Sequence, residues 1–357
     1  MKNNIIQISP TFPPNIGGVG HYADLLGRHL VTKGIKSEFF ISDFSGHDTS
    51  SQKLFGKKSS NLLTLLEKKN SKEIILHYSP YGYANRGLCF DLIKIIKKWK
   101  ESRKDRRLIT IFHEIYATGP IYRTSFWTCL PQKYLAKTLF DLTDLVIATT
   151  IKNQLFLSSI EPKKKVSLSN VFSNIGEKKY IKNINKRRKI AIIFGGQAQK
   201  KILYQDMSLQ RTKYLNTLIK LSINKILDIG PKTKGLKKIG KIPIQSIGIK
   251  SKRYISSLLS NSKAGLVFYP ISQMTKSGIV ASYSSHGLLI INFCKEEILK
   301  TNEFISGVHF LSDVVSKKDF NIEKIAKKSH SVYKKNGITK IGYLIKNYLK
   351  KINENCS

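Results

Sequence analysis

The chain has 357 residues, enough for two domains, and its 41% hydrophobic content is that of a globular protein. Lys and Arg number 62 against 23 Asp and Glu, a formal net charge of +39 that favours anionic partners such as phosphorylated substrates, anionic lipid or nucleic acid. Zinc-finger spacing, an RNP-like aromatic motif and Asp-x-Asp are all missing, and Cys89, Cys129, Cys294 and Cys356 stand too far apart for a metal pattern, so neither a metal nor nucleic acid is expected. Lys, Ile and Asn are abundant together and the lysines are dispersed, as in a chain from an AT-rich coding sequence, so part of the charge is compositional. No apolar run reaches the roughly 18 to 20 residues that span a bilayer. The N-terminus does not read as a signal peptide. The expectation is a reduced cytoplasmic protein, with peripheral association at the anionic inner face of the membrane left open.

In chain order, Ile5 to Ile8 reads as a strand, followed by a turn with Pro10, Pro13 and Pro14 and then Gly17-Gly18-Val19-Gly20. A helix from about His21 carries Leu25, Leu26, Leu30 and Val31 on its apolar side. Strand, glycines and helix bring backbone N–H groups close to a phosphate or sugar, with Gly17 and Gly18 offering no side chain in the way; a tight turn is the plainer alternative. A strand near Phe39, a polar loop from Ser42 to Ser60, a short helix at Leu62 to Leu66 and a buried strand at Glu73 to Tyr78 follow. Leu88 to Trp99 has helical spacing, Leu108 to Phe112 is a strand ending at His113-Glu114, Gln132 to Leu142 a helix, and Leu145 to Ala148 a strand.

Residues 173–188 are polar and basic and read as an interdomain linker. The strand pattern restarts at Lys189 to Phe194, turns at Gly195-Gly196, and continues at Lys225 to Gly230, Ala264 to Phe268 and Leu288 to Ile291. The last segment, 331–357, reads as a basic amphipathic helix with Ile338, Ile341, Leu344, Ile345, Leu349 and Ile352 on one stripe; packing on the protein is the first reading and lying on a membrane the second. The expected architecture is α/β: two doubly wound Rossmann-like domains, 1–172 and 189–330, facing across a cleft at the carboxyl ends of their sheets.

In the second half, Lys276, Ser277 and Gly278 open a helix-like stretch over Ile279 to Ser285 that ends at His286-Gly287. Lysine, hydroxyl and glycine at a helix start make a cradle for a diphosphate, against the alternative of a solvated lysine on an ordinary helix start. His286-Gly287 reads as a helix C-terminus with the glycine left-handed. His113 ends a strand, where it serves as a hydrogen-bonding group for a sugar or as a structural cap, and Glu114 beside it could orient the histidine or meet an acceptor. Tyr78, Tyr81, Tyr83 and Trp127 are either an aromatic wall for an acceptor or core.

Strand, Pro270, loop, Gly278, helix, His286-Gly287, strand resembles the donor-nucleotide segment of GT-B glycosyltransferases, particularly the retaining family-four enzymes. Pro14 to Tyr22 resembles their acceptor-domain glycine loop, Phe112-His113-Glu114 their strand-end histidine motif, and Ser173 to Glu177 the start of their interdomain segment. The resemblance covers most of the chain in the right order. It implies transfer of a sugar from a nucleotide-diphosphate donor to a hydroxyl on a glycan or lipid-linked acceptor, with retention of configuration and no cofactor besides the donor substrate. It further implies that His113 and Glu114 act in catalysis and that Lys200 and Lys201 neutralise the donor diphosphate. The family's two glutamates, eight residues apart, are missing: the matching positions hold Met274 and Ser282 in one alignment, Thr275 and Tyr283 in the other. Ser282 is then the candidate ribose ligand. A degenerate module that binds without turnover, an epimerase or phosphorylase, and a nucleic-acid binder are the rival readings.

Overall fold

The computed structural model describes residues 4–13, 18–41, 53–54, 60–117, 120–294, 304–312 and 320–354. Gly17 lies outside them, as does most of the expected loop from Ser42 to Ser60. The elements run β1 (Asn4–Ser9), α1 (Gly18–Val31), β2 (Lys36–Ile41), β3 (Lys53–Leu54), α2 (Ser60–Lys69), β4 (Glu73–Tyr78), α3 (Phe90–Glu101), β5 (Arg107–Phe112), α4 (Thr124–Leu142), β6 (Leu145–Ala148), α5 (Ile151–Ile160) and β7 (Val166–Leu168). They continue with β8 (Arg188–Phe194), α6 (Gln197–Leu209), α7 (Arg211–Lys220), β9 (Lys225–Ile229), β10 (Lys238–Ile239), β11 (Ile242–Gly248), α8 (Lys252–Asn261), β12 (Ser262–Val267), α9 (Gly278–Ser285), β13 (Leu289–Asn292), α10 (Ile322–Asn336) and α11 (Ile338–Glu354). The chain divides into two compact units, one of Met1–Asn170 with Ile338–Ser357, the other of Val171–Gly337.

The first unit is built on a seven-stranded sheet in the order β3-β2-β1-β4-β5-β6-β7, with every pairing parallel. A parallel strand needs a crossover to return, and the strand–helix alternation of the sequence supplies it. Central strands are covered on both faces, so β1, β4 and β5 are buried almost end to end. On α3 the predicted stripe Leu92, Ile93, Ile96 and Trp99 is buried in this core. The stripe of α11 packs here as well. Ile341, Ile345 and Leu349 are buried, a Cβ on Gly342 would stand 2.5 Å from the His29 ring, and Lys33 Nζ sits 4.7 Å from the Tyr343 ring centre. That face is therefore covered by protein.

The second unit holds a six-stranded sheet in the order β10-β11-β9-β8-β12-β13, parallel except for the β10–β11 hairpin. Tyr283 of α9 lies against β12 and β8: its hydroxyl donates to the Ile192 carbonyl at 3.0 Å, and its ring covers Gly265.

Three expected boundaries differ. Helix α4 begins at Thr124, not Gln132, because Pro131 sits inside the helix instead of starting it. Residues 173–188 are part of the second unit: Ser173, Ile175 and Ile184 are buried, the Tyr333 hydroxyl accepts from the Ser173 N–H at 2.9 Å, and Glu323 accepts from the Ile184 N–H at 2.7 Å. Single anchors and hydrogen bonds hold this stretch, and they leave no periodic signature. The single helix expected over 331–357 is instead the end of α10 and then α11, separated at Gly337 and belonging to different units.

A Cβ at Gly265 would meet the Tyr283 ring at 2.4 Å. Gly265→Ala is expected to destabilise the protein by about 1–3 kcal/mol through overpacking, read as a fall in the urea midpoint at unchanged m-value.

Candidate functional site

In both units the sequence-predicted residues follow the carboxyl ends of parallel strands, where ligands bind in sheets of this kind. In the first unit the register builds a polar diagonal across four strands. Gln7 pairs with Phe39 on one side, two residues beyond Ser37, and with Ile75 on the other, two residues before His77; His77 pairs with Ile111, two before His113. Steps of two keep all four side chains on one face. Gln7 Nε2 donates to Ser37 Oγ at 2.8 Å, Gln7 Oε1 lies 2.8 Å from His77 Nε2, and His77 Nδ1 lies 3.2 Å from His113 Nε2.

With Gln7 so oriented, His77 carries its proton on Nε2 and accepts on Nδ1. His113 Nε2 is then the donor, and a neutral His113 keeps Nδ1 as an acceptor. Burial, with the His113 ring second, holds the His77 pKa well below its usual value, which keeps His77 neutral. Tyr22 of α1 stands edge-on to His113, ring centres 4.7 Å apart. His113 is buried, while Glu114 is exposed and accepts from Ser79 Oγ at 3.1 Å.

Gly18 is the first residue of α1, and a Cβ there would meet nothing within 4 Å. The close approach is at Gly20, where a Cβ would stand 2.6 Å from the Thr11 carbonyl oxygen. Of the suggested aromatic wall, Tyr78 and Tyr83 are core, whereas Tyr81 and Trp127 are exposed.

In the second unit, β8 runs into Gly195 at φ +146° and Gly196, the N-cap of α6, which offers no capping side chain. β9 ends similarly at Gly230, φ +119°, where a Cβ would lie 2.4 Å from the Gly195 carbonyl oxygen. A Cβ on Gly195 would in turn meet Ile279 Cδ1 at 2.5 Å, so the starts of α6 and α9 come together at this edge. Only glycine allows that approach.

Beneath the turn Lys200 and Asp228 form a buried ion pair, Nζ to Oδ1 2.7 Å, with the Pro231 carbonyl accepting from Nζ and the Tyr204 hydroxyl donating to Oδ2 at 3.0 Å. Lys200 is thus an internal anchor, and its charge is matched by Asp228. Lys201, one residue on, is exposed and lines an open cavity of about 800 Å³ with Gln197, Tyr204, Thr233 and Lys234.

Lys276 is exposed at the start of α9, and Ser277 caps that helix by accepting from the Val280 N–H at 3.2 Å. Gly278 opens α9 with space around its Cα. Ser282 is fully buried: its hydroxyl donates to the Gly278 carbonyl at 2.7 Å and lies 3.1 Å from Ser173 Oγ, so it ties the 173–176 stretch to α9. Its alternative, Tyr283, is core. His286 closes α9 with Gly287 at φ +65°; Nδ1 lies 2.8 Å from the Ser282 carbonyl and Nε2 2.9 Å from Ser256 Oγ.

Sequence reasoning missed His77, Gln7 and Asp228. Their signal was a polar side chain inside an otherwise apolar strand. Among the described residues no group of His, Cys, Asp and Glu could hold a metal ion.

Burial lowers the His286 pKa from 6.5 to about 4, reinforced by Lys178, Arg187 and His330 and opposed by the Ser282 carbonyl. A depressed folded-state pKa gives stability that is complete above the unfolded value and lost as pH falls through the folded one. His286 therefore contributes a loss between pH 6.5 and about 4, in the same direction as His77. Urea midpoints measured across that range should fall with pH in the native chain and less steeply in His286→Asn.

No protein-family model and no curated protein matches the chain. Solved structures do match it in fold. An alpha-glucosyltransferase in complex with UDP aligns over 98% of this chain and 99% of its own with a TM-score of 0.58 at 10% identity. The alpha,alpha-trehalose 6-phosphate synthase of Burkholderia multivorans aligns over 100% and 98%, TM-score 0.58, at 10% identity. A glycosyltransferase from Rickettsia africae ESF-5 aligns over 99% of both chains, TM-score 0.56, at 12% identity. With its two parallel-sheet α/β units matched from end to end by such enzymes, the chain has the GT-B glycosyltransferase fold.

Proposed function

We propose that this protein transfers a sugar from a nucleotide-diphosphate donor to a hydroxyl of a glycan or lipid-linked acceptor, with retention of configuration. The observation that carries the reading is the glycine-built edge of the second unit. There the side-chain-uncapped N-terminus of α6 and the start of α9 meet around Gly195 and Gly230. A helix N-terminus without a side-chain cap presents N–H donors and partial positive charge to an anion. Lys201 and Lys276 are exposed lysines at the same two helix starts. As the glycosidic bond breaks, negative charge grows on the departing diphosphate, and donors fixed before the reaction stabilise it at no reorganisation cost. Lys200 has a different task, holding α6 in place through Asp228.

In the first unit, the Gln7–His77–His113 chain fixes the orientation of the His113 ring just past the carboxyl end of β5. Glu114 is the exposed carboxylate next to it. A second reading, binding without turnover, is favoured by Ser282 and Tyr283: the positions that match the family's second glutamate are engaged inside the protein. DNA as a partner is a further outcome to test, because one neighbour, an alpha-glucosyltransferase, was solved in complex with UDP and a 13-mer DNA containing a HMU base, at 11% identity and TM-score 0.56.

Thermal-shift and calorimetric titration with UDP, GDP, ADP and CMP test the donor assignment. One nucleoside diphosphate should bind selectively, and Lys201→Ala and Lys276→Ala should each weaken it about 10- to 150-fold, the worth of a charged hydrogen bond. Unchanged affinity in both variants would remove the lysines from the site. Binding of a sugar nucleotide with no transfer to any glycan or lipid-linked acceptor would select the second reading. Salt-sensitive retention on DNA that no sugar nucleotide displaces would overturn both.

A further inference from the structure

Helix α4 has one buried face and one bare apolar face. Leu135, Ala136, Leu139 and Phe140 enter the core of the first unit. On the opposite side Phe126, Trp127, Leu130 and Tyr134 are all exposed, Trp127 at 67% and Leu130 at 74%. At 100° per residue these four positions fall within about 100° of the helix circumference, a continuous stripe. The segment before the helix extends it. Ile121 and Tyr122 are exposed, Tyr122 at 82%, and the Trp127 indole N–H donates to the Ile121 carbonyl at 3.0 Å, pinning that segment against the helix.

The charges around the stripe are of one sign. Arg123 and Lys137 are exposed, and Lys133 lies half-buried with Nζ 4.7 Å from the Tyr116 ring centre. No Asp or Glu occurs between Glu114 and Asp141. Six large apolar or aromatic side chains on a soluble domain's surface demand a partner. Trp and Tyr favour the boundary between acyl chains and headgroups, Leu, Ile and Phe the acyl side, and Arg and Lys the anionic headgroups.

We propose that the exposed stripe of α4, with Ile121 and Tyr122, docks the first unit on an anionic lipid bilayer. The helix lies in the plane of the membrane with its apolar side chains inserted to the acyl boundary. No helix among the described residues is long and apolar enough to cross a membrane. The bulk charge of +39 adds long-range attraction to the same surface. This differs from the expectation placed on the C-terminal helix, whose apolar face is covered. The inference does not rest on the transfer reading.

The chain has two tryptophans, and Trp99 is fully buried, so fluorescence changes on lipid addition report Trp127. The full-length protein is mixed with phosphatidylcholine vesicles with and without phosphatidylglycerol, and binding is read by flotation. Quenching by brominated acyl chains reads insertion. Native protein should float with anionic vesicles, with Trp127 emission blue-shifted and quenched. Leu130→Ser with Tyr134→Ser should bind at least about tenfold more weakly while the melting temperature and Trp99 emission stay as in the native chain. Equal vesicle binding by that variant would reduce attachment to diffuse charge and overturn the proposal. So would an absence of vesicle binding, or self-association without lipid that the same variant abolishes, which would make the stripe a protein interface.

Discussion

The buried pair of Lys200 and Asp228 is the constraint on which the second unit's candidate site depends. Removing two charges from water is unfavourable unless every hydrogen-bonding position is matched. Here Asp228 receives Lys200 on one oxygen and the Tyr204 hydroxyl on the other, while Lys200 also reaches the Pro231 carbonyl. Those contacts join the end of β9, the turn after it and the first two turns of α6 into one rigid piece. The backbone donors at the start of α6 therefore point in a fixed direction before any ligand arrives, which is what electrostatic stabilisation of a leaving group requires. The adjacent residue, Lys201, keeps its charge at the surface. Two neighbouring lysines thus have opposite physical roles, one holding the scaffold and the other available to an anion.

Helix α9 solves a related problem with neutral groups. Ser282, Ser284 and Ser285 are fully buried, and they hydrogen-bond across to Ser173, Ser329 and the Gly176 carbonyl. A short helix with three serines among its eight residues becomes the hub that ties 173–176 and α10 to the sheet. A glutamate at Ser282 would bring charge into this buried network.

The alternation of strands and helices, the two-unit plan and the GT-B resemblance were legible in the sequence because parallel strands buried on both faces leave long apolar runs. Less visible were residues 173–188, held by isolated anchors, and the first turns of α4, whose apolar stripe faces outward and whose Pro131 lies inside the helix. At the site, the glycine turns and His113 could be found from position alone. The difference between Lys200 and Lys201 could not, because it depends on an acid 28 residues away in sequence. His77 was passed over for the same kind of reason: in a single strand it is one polar residue, and only the register of β1, β4 and β5 turns it into a link of a chain.

The boundary at Gly337 has a consequence for biosynthesis. The second unit, 171–337, is continuous in sequence, whereas the first is split around it and recovers its helix α11 only from residue 338 onward. During translation the second unit can close on itself while the first still waits for the side chains of Ile341, Ile345 and Leu349. Until then the groove on α1 that they fill stays bare. The earlier-made unit is therefore completed after the later-made one, and its hazardous interval for aggregation lasts until α11 has emerged.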